Sequence, residues 1–374
     1  MSDKPVVVYG ASGYTGRLVC EFLIKLKVPF IAAGRDMGKL KAGLDTVPGL
    51  DSGDYEMVEV AHNVEALTEL LTGAKAMCNM VGPFMEFGPA SVEACHNAGV
   101  HYMDTTGEQD WMMWCREEFG AKFAEKNLLL SPGIAQMYTT GEIAANYCLE
   151  NDGLDTLDMS VFWKGQPTVA STATIVQNAV LSKALFLENN ELVEWPTEVG
   201  LYELNVPGQH EPGLALPWGG TSSPIWFQND DRVRNVKVLG GVINRPLMMA
   251  VPGLVAQMLE LTAGKSLDET RAILAGVAAQ VNNTYPPREE PHINISIDSV
   301  YASGPLARAH TVIYGNCNYQ QTGLLQAYAA QQCLDSTPKQ VGFASACQAF
   351  GHRELHGVLK SFGLSMEAIT TYNG

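Results

Sequence analysis

The chain has 374 residues, 46% of them hydrophobic and 17% charged, and a formal net charge of −16. Those values describe a soluble globular protein with enough chain for two domains and a large core. They argue against nucleic acid as a partner, because no basic patch is available to displace counterions from a phosphate backbone. In chain order, Val6-Val7-Val8-Tyr9 is a short apolar strand that runs into Gly10-Ala11-Ser12-Gly13-Tyr14-Thr15-Gly16. An amphipathic helix follows, with Leu18, Val19, Phe22, Leu23 and Leu26 on its apolar side. Strand, glycine-rich turn and helix make a seat for a nucleotide diphosphate. Gly10 allows the tight turn, Gly13 lets backbone approach the pyrophosphate, and Gly16 lets helix and strand pack closely.

Phe30-Ile31-Ala32-Ala33 predicts the second strand, which ends in Gly34-Arg35-Asp36. The tip of that strand lies beside the adenosine ribose in this architecture. An acidic residue there holds the 2′-hydroxyl of NAD, whereas Arg35 suits a 2′-phosphate through forked, charge-assisted hydrogen bonds. Lys39 and Lys41 add positive charge, and Asp36 keeps a ribose hydroxyl as the competing partner. The expected cofactor is therefore NADP(H). Further strands are expected at 55–60, 76–81, 101–104 and 128–130, and helices at 64–71, 90–98 and 111–126. Alternation of this kind predicts an α/β, Rossmann-type doubly wound parallel sheet with a ligand crevice at its C-terminal strand ends.

Beyond residue 153 the pattern changes. A strand is expected at 156–163, a helix at 171–187, and strands near 232–239, 292–300 and 307–314. Residues 195–230 are rich in Pro, Gly and Trp, and 247–281 is helical and apolar, with Met248, Met249 and Met258. This portion reads as a second, mixed α+β domain whose apolar helices or sheet face could support a homodimer. Helices at 322–334 and 351–363 are expected to return to the first domain. The expected boundaries are 1–132 for the NADP-binding domain, 133–318 for the substrate and dimerisation domain, and 319–374 for the returning helices.

The eight cysteines form no C-x-x-C pair and read as buried thiols, so neither a disulfide framework nor a metal site is expected. The chain shows no secretory pattern at its start and no apolar run of about 18 residues, so a cytoplasmic protein without a spanning helix is expected.

Gly10-Ala-Ser-Gly-Tyr-Thr-Gly-Arg17, Ala33-Gly34-Arg35 and Asn79-Met80-Val81-Gly82-Pro83-Phe84 resemble the nucleotide domain of the saccharopine-dehydrogenase-like NAD(P)-dependent oxidoreductases. That group includes the trans-acting enoyl reductases of lipid synthesis. Ala94 to Glu108, with its Ala98-Gly99, His101-Tyr102-Met103-Asp104 and Gly107-Glu108, continues the likeness, and Asn318-Tyr319, Thr322-Gly323 and Gly342-Phe343 are similar near the end. Where that family often carries Gly-Phe-Asp-Ser, this chain reads Gly133-Ile134-Ala135-Gln136-Met137-Tyr138. The resemblance implies an NADP-linked reductase, cytosolic or membrane-peripheral and often dimeric.

The competing short-chain dehydrogenases need Tyr and Lys four apart on one helix, and no tyrosine here has a lysine at that spacing. Hydride transfer needs a nicotinamide held against the acceptor carbon and a polarised acceptor bond. Asn79 and the turn Val81-Gly82-Pro83-Phe84 lie where the nicotinamide belongs, with Phe84 as a wall for the ring. Tyr138, read as a loop hydroxyl, is the preferred acid, and Asp104 and Glu108 are further catalytic candidates, each with a structural reading beside it. Trp163, Phe186, Trp195, Trp218, Trp226 and Phe227 divide between core and an apolar cavity. Arg232, Arg234, Arg245, Arg288 and Arg308 show no pairing suited to a dicarboxylate. The function expected is reduction of a polarised C=C (enone or enoyl) or C=O bond in a bulky hydrophobic metabolite. Saccharopine-type C=N chemistry and a non-catalytic NADP(H)-binding regulator are the alternatives.

Overall fold

A computed structural model describes residues 4–196, 200–217 and 222–374. The chain divides into two compact units. Unit 1 comprises the residues through Thr106, Asp110–Thr139 and Tyr319–Gly363, and unit 2 comprises Gly107–Gln109, Thr140–Asn318 and Leu364–Gly374. The first boundary thus falls after Thr139 and not at 132, and the last residues leave the helices that precede them.

Unit 1 is built on six strands, β1 (Val6–Tyr9), β2 (Phe30–Gly34), β3 (Tyr55–Glu59), β4 (Ala76–Asn79), β5 (His101–Asp104) and β6 (Leu129–Ser131), plus the short strand Gly342–Phe343. They form one parallel sheet in the order Gly342–Phe343, β6, β5, β4, β1, β2, β3. β1, β2 and β4 are buried throughout, which is why they read as unbroken apolar runs. The order reverses between β1 and β4, the switch point where this fold places its ligand. The connecting helices are α1 (Tyr14–Lys25), α2 (Met37–Leu44), α3 (Val64–Leu70) and α4 (Phe84–Ala98). A longer connection follows, α5 (Gln109–Trp114), which runs through a π-helical segment (Cys115–Gly120) into α6 (Ala121–Glu125).

Two expectations shift here. α4 begins at Phe84 and not at Ala90, because Pro83 occupies its N-cap, where the missing N–H costs nothing; Gly88 and Pro89 masked its first turns. The stretch read as a loop around Tyr138 is instead α7 (Gln136–Cys148). Thr139, Thr140 and Gly141 are weak helix formers, yet a Cβ on Gly141 would come within 3.2 Å of Met159 Cε, so close packing of this helix selects the glycine.

Unit 2 holds β7 (Thr156–Lys164), α8 (Val169–Leu181), β8 (Leu185–Glu188), β9 (Glu191–Glu194), β10 (Tyr202–Leu204), β11 (Gly213–Pro217), α9 (Ser223–Phe227), β12 (Asn235–Val242), α10 (Arg245–Thr262), α11 (Leu267–Val281), β13 (Ile295–Ser303) and β14 (Arg308–Asn316). Its sheet runs β10, β11, β12, β7, β13, β14 and finally Ile369–Asn373. Only β12 and β7 are parallel on that path. The helix expected over 171–187 ends at Leu181, because Leu185–Glu188 and Glu191–Glu194 form a hairpin. Asn189 and Asn190 turn it with left-handed φ values of 50° and 66°, as a two-residue hairpin turn requires. Ile369–Asn373, expected among returning helices, pairs antiparallel with β14 from Val312↔Ile369 to Arg308↔Asn373. The long helix Asn318–Asp335 lies in unit 1 from Tyr319 onward. All eight cysteines are buried and none is in a disulfide. Among the described residues no helix is long and apolar enough to cross a membrane, and no cluster of side chains suits a metal ion.

Candidate functional site

The glycine loop leaves β1 at Tyr9 and enters α1 at Tyr14. Gly10 has φ +86°, and its amide and that of Ala11 both donate to the Ala33 carbonyl of β2, at 2.9 and 3.2 Å. A Cβ on Gly10 would lie 2.8 Å from Val81 Cγ2, and one on Gly16 would lie 2.3 Å from the Gly10 carbonyl oxygen. The protein's own packing therefore demands both glycines. Gly13 differs, since its Cβ would meet only the Gly10 oxygen, at 3.3 Å, from an ordinary extended backbone with φ −71°. Gly13 is the N-cap of α1 and supplies no side-chain cap, so the first N–H groups of that helix have no side-chain acceptor there. A small residue over open helix amides fits a pyrophosphate. Tyr14 turns inward, its ring edge-on to Tyr319 at 5.3 Å, so it contributes backbone to this loop. Ser12 is approached from below by Gly43 of α2, where a Cβ would lie 3.0 Å from Ser12 Cα. Ala11 is buried, and Ser12 and Thr15 are half-buried along the same loop.

Arg35 follows the last residue of β2 and is exposed. Among the described residues it takes part in no ion pair or hydrogen bond; its guanidinium lies 5.9 Å from the centroid of the Phe87 ring. Asp36, the competing acceptor for a ribose hydroxyl, is the N-cap of α2 and accepts from the Lys39 amide at 2.8 Å. Lys41 pairs with Asp45 at 3.0 Å, leaving Lys39 and Arg35 as the exposed cations at this strand end. An uncommitted guanidinium at the tip of β2 fits a 2′-phosphate.

On the other side of the switch point, buried side chains tie the strand ends together. The Val81 amide donates to Asn79 Oδ1 at 3.0 Å, Asn79 Nδ2 donates to Tyr102 Oη at 3.0 Å, and Tyr102 donates to Asp104 Oδ2 at 2.8 Å. Trp111 Nε1 donates to the same Oδ2 at 2.8 Å, while the amides of Thr106 and Gly133 donate to Oδ1, each at 2.9 Å. The Asp104 carbonyl accepts from the Ile134 amide and from Gln326 Nε2, which also donates to the Ile134 carbonyl. One carboxylate thus anchors the loops after β5 and β6 and, through Tyr102 and Asn79, the loop after β4. Burial pushes the Asp104 carboxyl up to about 6, and its four donors pull it back toward the anion. Burial, and then the neighbouring Asp104, hold the Tyr102 phenol far above its usual range.

These contacts correct two expectations. Asp104 is fully buried with two donors on each oxygen, so it is a positioning group and not a proton donor to substrate. Phe84 does not wall a ligand: it is the first residue of α4, joins the core of unit 1, and packs its ring within 3.2 Å of where a Cβ on Gly82 would be. Val81, Gly82 and Pro83 form the half-buried turn between β4 and α4, with the Gly82–Pro83 peptide cis. Tyr138 is half-buried in the first turn of α7, and Glu108 is buried in unit 2. Trp111 and Gln326 escaped the sequence reading. The only signal for Gln326 was a polar residue inside the apolar helical run Leu324 to Ala330.

Residues 139–374 match a family model described as "Family of unknown function (DUF5938)". The chain belongs to the DUF5938 family. Ahead of the DUF5938 region, residues 6–126 match the model of the saccharopine dehydrogenase NADP binding domain, which makes NADP(H) the cofactor of this unit. Among curated relatives, a lipid droplet localized protein of Caenorhabditis elegans is 28% identical over 159 residues, 40% of this chain and 37% of that one. A trans-acting enoyl reductase of Mycobacterium ulcerans is 34% identical over 113 residues, 30% of this chain and 26% of that one. A saccharopine dehydrogenase-like oxidoreductase of Mus musculus is 30% identical over 139 residues, 33% and 32% of the two chains. The DUF5938 chain thus spans between a quarter and two fifths of the length of these relatives.

The DUF5938 region buries most of the aromatics that the sequence divided between core and cavity. Trp163, Phe186, Trp226 and Phe227 are all buried, and Trp195 is half-buried against Phe186 at 4.9 Å. Trp218 lies outside the described residues. Four of the region's arginines are engaged locally. Arg232 pairs with Asp230 at 2.7 Å and Arg245 with Glu203 at 2.8 Å. Arg308 donates to the Gly304 and Ala307 carbonyls, and Arg234 to Asn189.

Proposed function

We propose that this chain is an NADPH-dependent reductase acting on a polarised C=C or C=O bond of a bulky, mostly apolar metabolite. The observation that carries the cofactor half is the uncommitted Arg35 guanidinium at the tip of β2, beside a glycine loop with space over Gly13. Bound NADPH supplies the hydride. Gly10 and Ala11, tied to Ala33, shape the loop, the amides of Ser12, Thr15 and Gly16 would hold the pyrophosphate over Gly13, Arg35 would hold the 2′-phosphate, and Asn79 with Val81, Gly82 and Pro83 shapes the nicotinamide end. Asp104 fixes that end by holding three loops in register. Tyr138 is the group assigned to polarise the acceptor oxygen and deliver a proton, with Glu108 as the secondary candidate.

The substrate half is supported by unit 2. Its arginines Arg232, Arg245 and Arg308 are held by the chain's own carboxylates and carbonyls, which disfavours a dicarboxylate clamp. The name of one relative, trans-acting enoyl reductase, agrees with an enoyl or enone acceptor, and the location named for another, a lipid droplet localized protein, agrees with an apolar one.

Titration of the purified protein with both cofactors tests the first half. NADPH is expected to bind tighter than NADH, and Arg35→Ala to weaken NADPH about ten- to hundredfold with little change for NADH. A screen of NADPH oxidation with cyclic enones, enoyl esters, ketones and keto acid plus amine pairs tests the second. Turnover confined to the last group would replace this reading with C=N chemistry, and no turnover with any class would favour a cofactor-binding regulator. Tyr138→Phe is expected to lower kcat about ten- to hundredfold without changing the NADPH Kd; full activity removes Tyr138 as the acid.

A further inference from the structure

Beside the glycine loop, past the C-terminal ends of β1, β2 and β3, four side chains meet. Tyr9, the last residue of β1, is buried, and its hydroxyl lies 2.9 Å from Nδ1 of His62, which follows β3. The two rings are parallel to within 1°, with centroids 5.9 Å apart. His62 meets the Phe87 ring of α4 edge-on at 5.4 Å, and the Arg35 guanidinium lies 5.9 Å from the centroid of that same ring. His62 is half-buried, and among the described residues its only hydrogen bond is the one to Tyr9. Tyr9 has no other partner there either, so the tautomer that satisfies the buried hydroxyl proton is the one in which Nδ1 accepts it and the neutral ring carries its own proton on Nε2. Protonation reverses the Tyr9 bond and leaves Nε2–H in place. In both states the ring offers an N–H donor that no described residue uses, close to an arginine that no described residue binds by hydrogen bond or ion pair.

We infer that His62 is a second reader of the cofactor's 2′-phosphate beside Arg35, and that it makes the preference for NADP(H) over NAD(H) depend on pH. This rests on the NADP(H) reading above. The charged and titratable groups around His62 are Tyr9 from β1 and Arg35 from the end of β2, while α4 presents Phe87, which does not titrate. Glu59 at the end of β3 accepts from the Met37 amide at 2.8 Å, at the start of α2. Burial, and then the charge of Arg35, hold the His62 imidazole below its ordinary range. A phosphate dianion beside the ring offsets Arg35 and raises that pKa, so binding takes up a proton. The sign follows by linkage: NADPH binds tighter as pH falls from about 8 toward 6, through the raised imidazole pKa. Below about pH 6 the 2′-phosphate itself gains a proton and the trend ends. NADH lacks that group and stays flat.

The test is isothermal titration calorimetry of NADPH and NADH between about pH 6 and 8, in buffers of different ionisation enthalpy, which counts protons. NADPH affinity is expected to rise about three- to tenfold across that range with fractional proton uptake, while NADH shows neither. His62→Gln, with an unchanged circular dichroism spectrum, is expected to abolish both effects. If the variant keeps the slope and the uptake, His62 does not read the phosphate. If NADPH is no tighter than NADH at any pH, the cofactor reading itself fails. NMR titration of the His62 ring in the unaltered protein gives an independent answer. A pKa unmoved by NADPH overturns the inference even if the variant does not fold.

Discussion

Glycine has opposite meanings in the cofactor loop of unit 1 and in two exposed helices of unit 2. In unit 1, a Cβ on Gly10 or Gly16 would collide with side chain or backbone at 2.8 and 2.3 Å, and the loop they shape is the cofactor seat. In the helices α10 and α11 of unit 2, a Cβ on Gly253 or Gly276 would meet nothing within 4 Å. The arginines show a parallel contrast, with Arg35 left open at the site while Arg232 and Arg245 close onto neighbouring carboxylates. A residue type marks function only where the surrounding structure gives it no other work or no alternative.

Substitutions can break that contrast. The largest effect is expected for Gly16→Ala, where backbone must move to admit the methyl. We expect a loss of about 3 kcal/mol in chemical denaturation together with loss of NADPH binding; a variant that binds normally would show that the loop has slack. Asp104 comes next, and here pH is the probe. Its folded pKa of about 6 exceeds the value near 4 of an unfolded carboxyl, so its contribution is full below about pH 4 and lost as pH rises through about 6. Denaturation of wild type and Asp104→Asn at pH 4 and 6.5 should show the wild type losing roughly 2–3 kcal/mol more than the variant over that span. Equal slopes would mean that the four donors outweigh burial. The smallest effect is a gain. Gly253→Ala in exposed α10 should raise stability by about 0.5–1 kcal/mol and leave cofactor binding untouched. A loss there would reveal a contact that unit 2 makes with something else.

The sheet of unit 1 was legible because its signals are local. A strand, three glycines and a helix lie within one short stretch, and buried parallel strands read as apolar runs. What escaped depended on contacts distant in sequence. Thr139 to Gly141 look like a loop until Met159 is known to press on Gly141. The start of the strand Leu185–Glu188 was hidden in an apolar stretch that suited a helix, and Ile369–Asn373 is a strand only because β14 has an open edge. The site follows the same division. Gly10 to Gly16 and Arg35 lie in the loop and strand tip that the local pattern marks. Asp104 was noticed but given the wrong work, since its role is set by Trp111, Gly133 and Gln326, which meet it only in three dimensions. His62 carried no sequence signal, because its partner Tyr9 lies 53 positions earlier.

Unit 1 is not continuous along the chain. Its sheet is closed at one edge by Gly342–Phe343, and its Asp104 hub is braced by Gln326, both encoded after the long Thr140–Asn318 stretch of unit 2. On a ribosome the cofactor domain therefore waits, with the β6 edge bare, while some 180 intervening residues emerge. Cofactor capture by the finished seat is then a late event in biogenesis, and a chain cut short before Tyr319 would lack the brace that holds the nicotinamide end in shape.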